Sequence, residues 1–218
     1  MRQAVRLVVA VAVVVAAGGC KGVFGGGDLP PPPPTVRVLE SSAVIKQGAI
    51  GVQDRQDATY VLVDADNGSP EPRLVSLEGD LLDAGGKLLG HLYVEELRIP
   101  AGEKRTYALV AAGTFPDAKA AKLRVRAAPV TKDDPIAVVS ELKTERGPTG
   151  LVANATVENK LTRRALASII VSFYDAEGKI LARPFAPVQL NPRSTRTFSF
   201  TGPMAATRAV AYIGDSAF

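Results

Sequence analysis

Two short segments of this 218-residue chain are nearly the same: Asp83–Leu89 reads DAGGKLL and Asp175–Leu181 reads DAEGKIL. They stand 92 positions apart, and their neighbours keep that spacing: Asn67 with Asn159, Leu74 with Leu166, Ser76 with Ser168, Lys87 with Lys179, Pro100 with Pro192. A shared register over about 35 residues predicts an internal duplication. The chain must then fold into something that roughly 90 residues can build twice, which is the size of a small β-sandwich.

The repeated segment says what kind of unit that is. Asp followed by two tolerant residues and Gly is turn chemistry. The carboxylate accepts backbone N–H groups within the turn, and the glycine permits a positive φ that closes a hairpin through a bulge. Asp83, Gly86, Asp175 and Gly178 therefore read as structural corners. The competing reading, a calcium ligand, needs several converging oxygens, and no DxDxDG loop is present.

Around these corners apolar and polar residues alternate in short runs broken by Gly, Pro, Asn and Asp, the pattern of strands. Predicted strands are 59–65, 74–82, 104–111 and 119–126, then 137–143, 151–157, 166–174, 179–190, 195–200 and 208–213. The fold class expected is all-β: two tandem immunoglobulin or fibronectin-III-like sandwiches at 36–128 and 136–218, joined by a proline-bounded link at 129–135.

The start of the chain has a different composition. Two arginines in MRQAVR precede an unbroken apolar run, Leu7–Ala17, then Gly18, Gly19 and Cys20. A basic start, a short apolar middle and small residues make an export signal. Its eleven apolar residues reach roughly 16 Å as a helix, about half a bilayer core, so a membrane span is the poorer reading. Cys20 is the only cysteine, which excludes an intrachain disulfide. The segment AGGC resembles a bacterial lipoprotein signal, although Ala17 stands where leucine is commonest. The resemblance implies a signal at 1–19, lipid attachment at Cys20, and a membrane as partner through that lipid. Ordinary cleavage near Ala16–Gly18 is the alternative, and would leave a free, reactive thiol. Residues 20–35 then read as a tether: three glycines as a swivel and Pro30–Pro34 as an extended polyproline II rod. A proline-rich docking motif is the other reading of that rod.

Charge and composition exclude some classes. Without the signal the chain has 24 basic and 22 acidic residues, no dense Lys/Arg run and few aromatics, so nucleic acid is not expected as a partner. Nucleophilic catalysis of the Ser–His–Asp kind would rest on the lone histidine, His91, on a predicted strand. One histidine and one cysteine make no zinc set, and no phosphate loop follows GVFGGGD. Glu95 and Glu96 are adjacent on a predicted strand and so point to opposite faces, unable to flank one bond. No enzyme activity, cofactor or metal is expected.

The charge is uneven between the halves. Residues 36–128 hold 12 basic and 13 acidic side chains; residues 136–218 hold 10 and 6. Arg163 and Arg164 fall in one predicted loop, Arg193 and Arg196 around another. If 179–190 is a single traverse, both loops share one end and could receive phosphate, carboxylate or an acidic protein loop. Solvated, unrelated arginines are the competing reading.

The second unit also carries a family likeness. LVANATVENKLTRRALASIIVSFYDAEGKIL followed by VQLNPRSTRTFSF resembles the FxLYD domain, with Phe173-Tyr174-Asp175 over its name motif. Val171 replaces the leading phenylalanine, Phe173 stands where leucine is usual, and Asn159 and Pro192 fall where the family tends to place Asn and Pro. The likeness covers roughly residues 136–213; the first unit is further off, with Gly79 and Leu82 in place of the aromatic and the tyrosine. A similar pattern occurs in small lipoproteins of the YcfL type. The resemblance implies an immunoglobulin-like sandwich in a bacterial envelope, with an envelope protein or glycan as partner and no catalytic residues. The expectation is a non-catalytic, lipid-anchored binding or scaffolding protein, on the outer membrane if the cell has two. The alternatives are an inhibitor or chaperone-like module capping an exported protein by strand addition, and a carboxylate-dependent hydrolase.

Overall fold

The structure is a computed structural model, and it describes residues 35–50, 56–132 and 135–214. Cys20, the leader and most of the tether lie outside the described residues. The described residues form thirteen strands and no helix.

The first half contains β1 (Val36–Ile50), β2 (Gln56–Asn67), β3 (Arg73–Leu82), β4 (Leu88–Ile99), β5 (Lys104–Val110) and β6 (Ala120–Ala127). They make two antiparallel sheets, β1-β2-β5 and β4-β3-β6. The second half contains β7 (Ala137–Arg146), β8 (Leu151–Asn159), β9 (Ala165–Tyr174), β10 (Ile180–Ala182), β11 (Phe185–Leu190), β12 (Thr195–Thr201) and β13 (Arg208–Gly214). Its sheets are β7-β8-β12 and a second in which β9 lies between β13 on one side and β10 and β11 on the other. With β10 and β11 together standing for β4, strand order is the same in both halves.

Alternation drives this. In β8 every second residue is buried, so Leu151, Ala153, Ala155 and Val157 enter a core shared with Ile169, Val171, Phe173 and Leu190. In the first half Val61, Val63, Tyr107 and Leu109 from one sheet meet Val75, Leu77, Leu81 and Ile99 from the other. Each fully buried side chain of this size contributes about 1.5–3 kcal/mol.

Two central strands break the alternation because both of their faces are covered. In β9, Ile169, Val171 and Phe173 enter the second core, while Ile170 joins the first core and Tyr174 packs with Leu62 and Ile180. In β2, Val61, Val63 and Ala65 face the first core and Leu62 faces Tyr174. The non-alternating apolar runs YVLV and IIVSFY are the sequence trace of two-sided burial. The halves therefore pack into one body through β2, β5, β9 and β13.

Three expectations about detail are corrected. The strand predicted at 179–190 is interrupted at Arg183–Pro184, because proline offers no N–H to the ladder and Arg183 turns toward the first half. β1 has fifteen residues and no predicted boundaries; a register shift between Leu39 and Val44 disrupts its alternation. The constant offset of 92 also fails beyond the hairpin corner. Asn67 Nδ2 donates to the carbonyls of Ile99 and Pro100, and Asn159 Nδ2 donates to those of Leu190 and Asn191. Pro100 thus corresponds to Asn191 rather than Pro192, and one residue is lost between the corner and this turn.

Candidate functional site

The contact between the halves is built from a polar chain set among apolar residues. Asp64, 1% exposed on β2, accepts from Thr106 Oγ1 at 2.7 Å and holds Lys104 Nζ at 2.7 Å. The Tyr174 hydroxyl, from β9, lies 2.7 Å from Thr106 Oγ1 and 3.2 Å from Asp64 Oδ1. Burial, and then the Asp64 charge, hold this hydroxyl well above the ordinary tyrosine value, so it stays a neutral donor. Two cations lie over the Tyr174 ring, Lys104 Nζ at 5.3 Å and the Arg208 guanidinium at 4.2 Å from its centroid.

A second strand of the same network runs through Arg183. Its Nη2 donates to Glu95 Oε1 at 2.6 Å and its Nε to the Tyr212 hydroxyl at 3.2 Å. Tyr212 in turn donates to the Thr106 carbonyl at 2.6 Å. Burial alone opposes the Arg183 charge; Tyr212 and Glu95 outweigh it and hold the guanidinium above its usual range. The other Glu95 oxygen accepts the Ala108 backbone N–H at 2.6 Å, satisfying a donor on the edge of β5. A buried ion pair roughly breaks even against apolar residues of the same shape. Attachment of the halves thus comes from Leu62, Ile170 and Ile180, and the polar chain sets their orientation.

Beside this network opens a cleft of about 740 Å³, lined by Tyr60, Leu62 and Val110 from the first half and Ile170, Leu181 and Phe185 from the second. Glu95 and Glu96 both border it from opposite faces of β4: Glu95 stands across from core-facing Leu77, and Glu96 across from Ser76. Both carboxylates are already engaged, Glu95 as above and Glu96 with Ser76 Oγ at 2.5 Å. Among the described residues no three metal-ligating acidic, histidine or cysteine side chains cluster.

The second candidate lies at the far end of the second half. Asn159 is fully buried at the end of β8, and its Nδ2 also donates to the Arg163 carbonyl at 2.8 Å. That bond folds the β8–β9 loop, Lys160–Arg164, against the β11–β12 turn, where Arg193 N donates to the Leu161 carbonyl at 3.1 Å. Arg163 and Arg164 are thus brought to the same end as Arg193, with Arg196 just beyond it on β12. All four are exposed, as is Lys160, and none forms an ion pair among the described residues. The Arg196 guanidinium lies 5.0 Å from the Phe198 ring centroid.

The matching first half supplies an internal control. Asn67, also fully buried, binds the Glu71 carbonyl as Asn159 binds that of Arg163. The loop it holds reads GSPEP where its counterpart reads KLTRR, and the paired turns read PAGE and NPRS. One backbone device carries two acids and no base in the first half, and four bases and no acid in the second. In both turns the fourth residue's N–H returns to the first residue's carbonyl. The third residue has positive φ: Gly102 at 70° and Arg193 at 53°. Arg193 is the only non-glycine residue with positive φ among the described residues, and such a conformation costs roughly 1 kcal/mol or more.

The remaining sequence-predicted positions are corners. Asp83 Oδ1 accepts the Lys87 N–H at 2.9 Å and Asp175 Oδ1 that of Lys179 at 2.7 Å, with Gly86 and Gly178 at φ of 82° and 80°. His91 is exposed on β4 with Nδ1 2.7 Å from Asp80 Oδ1. Sequence reasoning did not bring Asp64, Tyr174 and Arg183 to the contact between the halves. The signal available was a polar residue inside or beside an apolar run. A scan against protein-family models and a search of curated proteins each found no match to this chain.

Proposed function

We propose that this chain is a non-catalytic, lipid-anchored protein of a bacterial envelope, in which two tandem immunoglobulin-like sandwiches of FxLYD type form one binding body held off a membrane. The observation that carries the reading is the leader: a basic start, eleven apolar residues and AGGC with the sole cysteine at its end, followed by a Gly/Pro tether. The equal strand order of the halves supports the tandem sandwiches. Confining such a body to a surface raises its effective concentration toward anything else held there. Mass spectrometry of the exported protein tests this. A diacyl or triacyl group on Cys20, and release of the Cys20→Ser protein into the soluble fraction, are expected; an unmodified thiol overturns the reading.

Strand addition is the second reading. Among the described residues β12 has one strand partner, β8, and Arg196 is its only charged residue. Its counterpart β5 is guarded by Glu95 and by a bridge between Leu92 and Ala111. A captured partner whose binding is abolished by Thr197→Pro, which removes a backbone donor from β12, would favour this reading.

A further inference from the structure

We infer that the basic tip formed by Lys160, Arg163, Arg164, Arg193 and Arg196 is a docking surface for anionic lipid headgroups, which lays the second half against the membrane that the anchor reaches. This deepens the proposed anchoring and rests on it for the identity of the surface.

Charge complementarity is the first argument. The tip's two loops contain four basic residues and no acid, whereas the same backbone in the first half carries two acids and no base. Shared fold requirements therefore do not explain the arginines. Arg193 adds an independent point. It holds a left-handed turn position that the first half fills with Gly102, so a long cation is kept at the tip where glycine would be less strained.

The shape favours a broad surface over an enclosed ligand. None of the five basic residues lines the cleft between the halves. Leu166 is 50% exposed two positions beyond Arg164, so the tip presents apolar as well as cationic groups, as interfacial segments do.

Position is the third argument. Where the tether meets the first half, the Thr35 carbonyl accepts the Gly68 N–H, and at the other end of the same loop the Pro72 carbonyl accepts the Thr131 N–H. Only six Cα-to-Cα steps lead from Thr131 to Ala137, which pairs with Asn159 beside the tip. They span at most about 22 Å. The fifteen residues that follow Cys20, through Thr35, reach at most about 50 Å, so a lipid at Cys20 and the tip can meet one surface.

The test is sedimentation of the exported Cys20→Ser protein, which bears no acyl chain, with vesicles of pure phosphatidylcholine or of phosphatidylcholine with about one-third phosphatidylglycerol. Binding at least about tenfold stronger to the anionic vesicles is expected, given roughly fivefold per basic residue near such a surface, with loss of that preference in high salt. Arg163→Glu with Arg164→Glu should abolish the preference. Arg193→Gly should weaken binding severalfold while raising Tm, a split that a purely structural arginine would not give. Equal sedimentation with both vesicles, undiminished binding by Arg193→Gly, or retention on an acidic protein or polyanionic glycan but not on vesicles would each overturn the inference. An unmodified Cys20 would overturn the anchoring alone, because the vesicle measurement uses no acyl chain.

Discussion

Glu95 Oε1 and Arg183 Nη2 lie 2.6 Å apart and join β4 of the first half to the break between β10 and β11 of the second. The Arg183 side chain is 4% exposed and that of Glu95 25%, so the pair is shielded from solvent. Glu95 also closes the edge of β5, which makes one residue a joint between three elements.

That joint sets a first prediction. Arg183→Ala leaves the Glu95 carboxylate without its cation in a largely dry setting and should destabilise the chain by about 3 kcal/mol. Arg183→Met, which keeps the volume and is paired with Glu95→Gln, should cost much less. Denaturant unfolding of the two variants checks this; equal losses would mean that the pair contributes packing alone.

The buried asparagines give a second. Asn159 Nδ2 reaches the carbonyls of Arg163, Leu190 and Asn191, and its Oδ1 accepts the Leu161 N–H. Asn159→Ala strands these groups and should cost about 2–4 kcal/mol. Asn67→Ala should cost a similar amount, because Asn67 makes the corresponding bonds in the first half. Asn159→Asp should not rescue, since a carboxylate cannot donate to three carbonyls. Thermal melts of the variants give the measurement.

Acid supplies a third. The hydrogen bond from His91, reinforced by Arg124, holds the Asp80 carboxyl below its ordinary value against a smaller opposing effect of burial. A carboxyl depressed in the folded state adds stability above its unfolded value, near 4, and loses it as pH falls through the lower folded value. His91→Ala removes the largest cause. The variant should therefore lose less Tm than the parent between about pH 6 and pH 2. Parallel melting curves across that range would show that the Asp80–His91 pair contributes nothing.

Much of this architecture follows from local chemistry. Val, Leu and Ala at every second position of LVANATVEN define a strand with one wet face, and Asp with Gly three residues later bends the chain wherever it occurs. The likeness of the halves is visible because both use the same turns and the same buried asparagine. The break at Arg183–Pro184 was less legible: proline marked it, yet the apolar residues on either side read as one run.

Sequence by itself determined an all-β chain with paired hairpin corners, because a period of two and turn-forming residues act within a few positions. Only tertiary structure decided that Tyr174 meets Asp64 across 110 residues and that Glu95 and Arg183 meet across 88. Those meetings depend on which faces of β2 and β9 find burial against each other. Packing between distant strands settles that choice, and no local pattern encodes the partner.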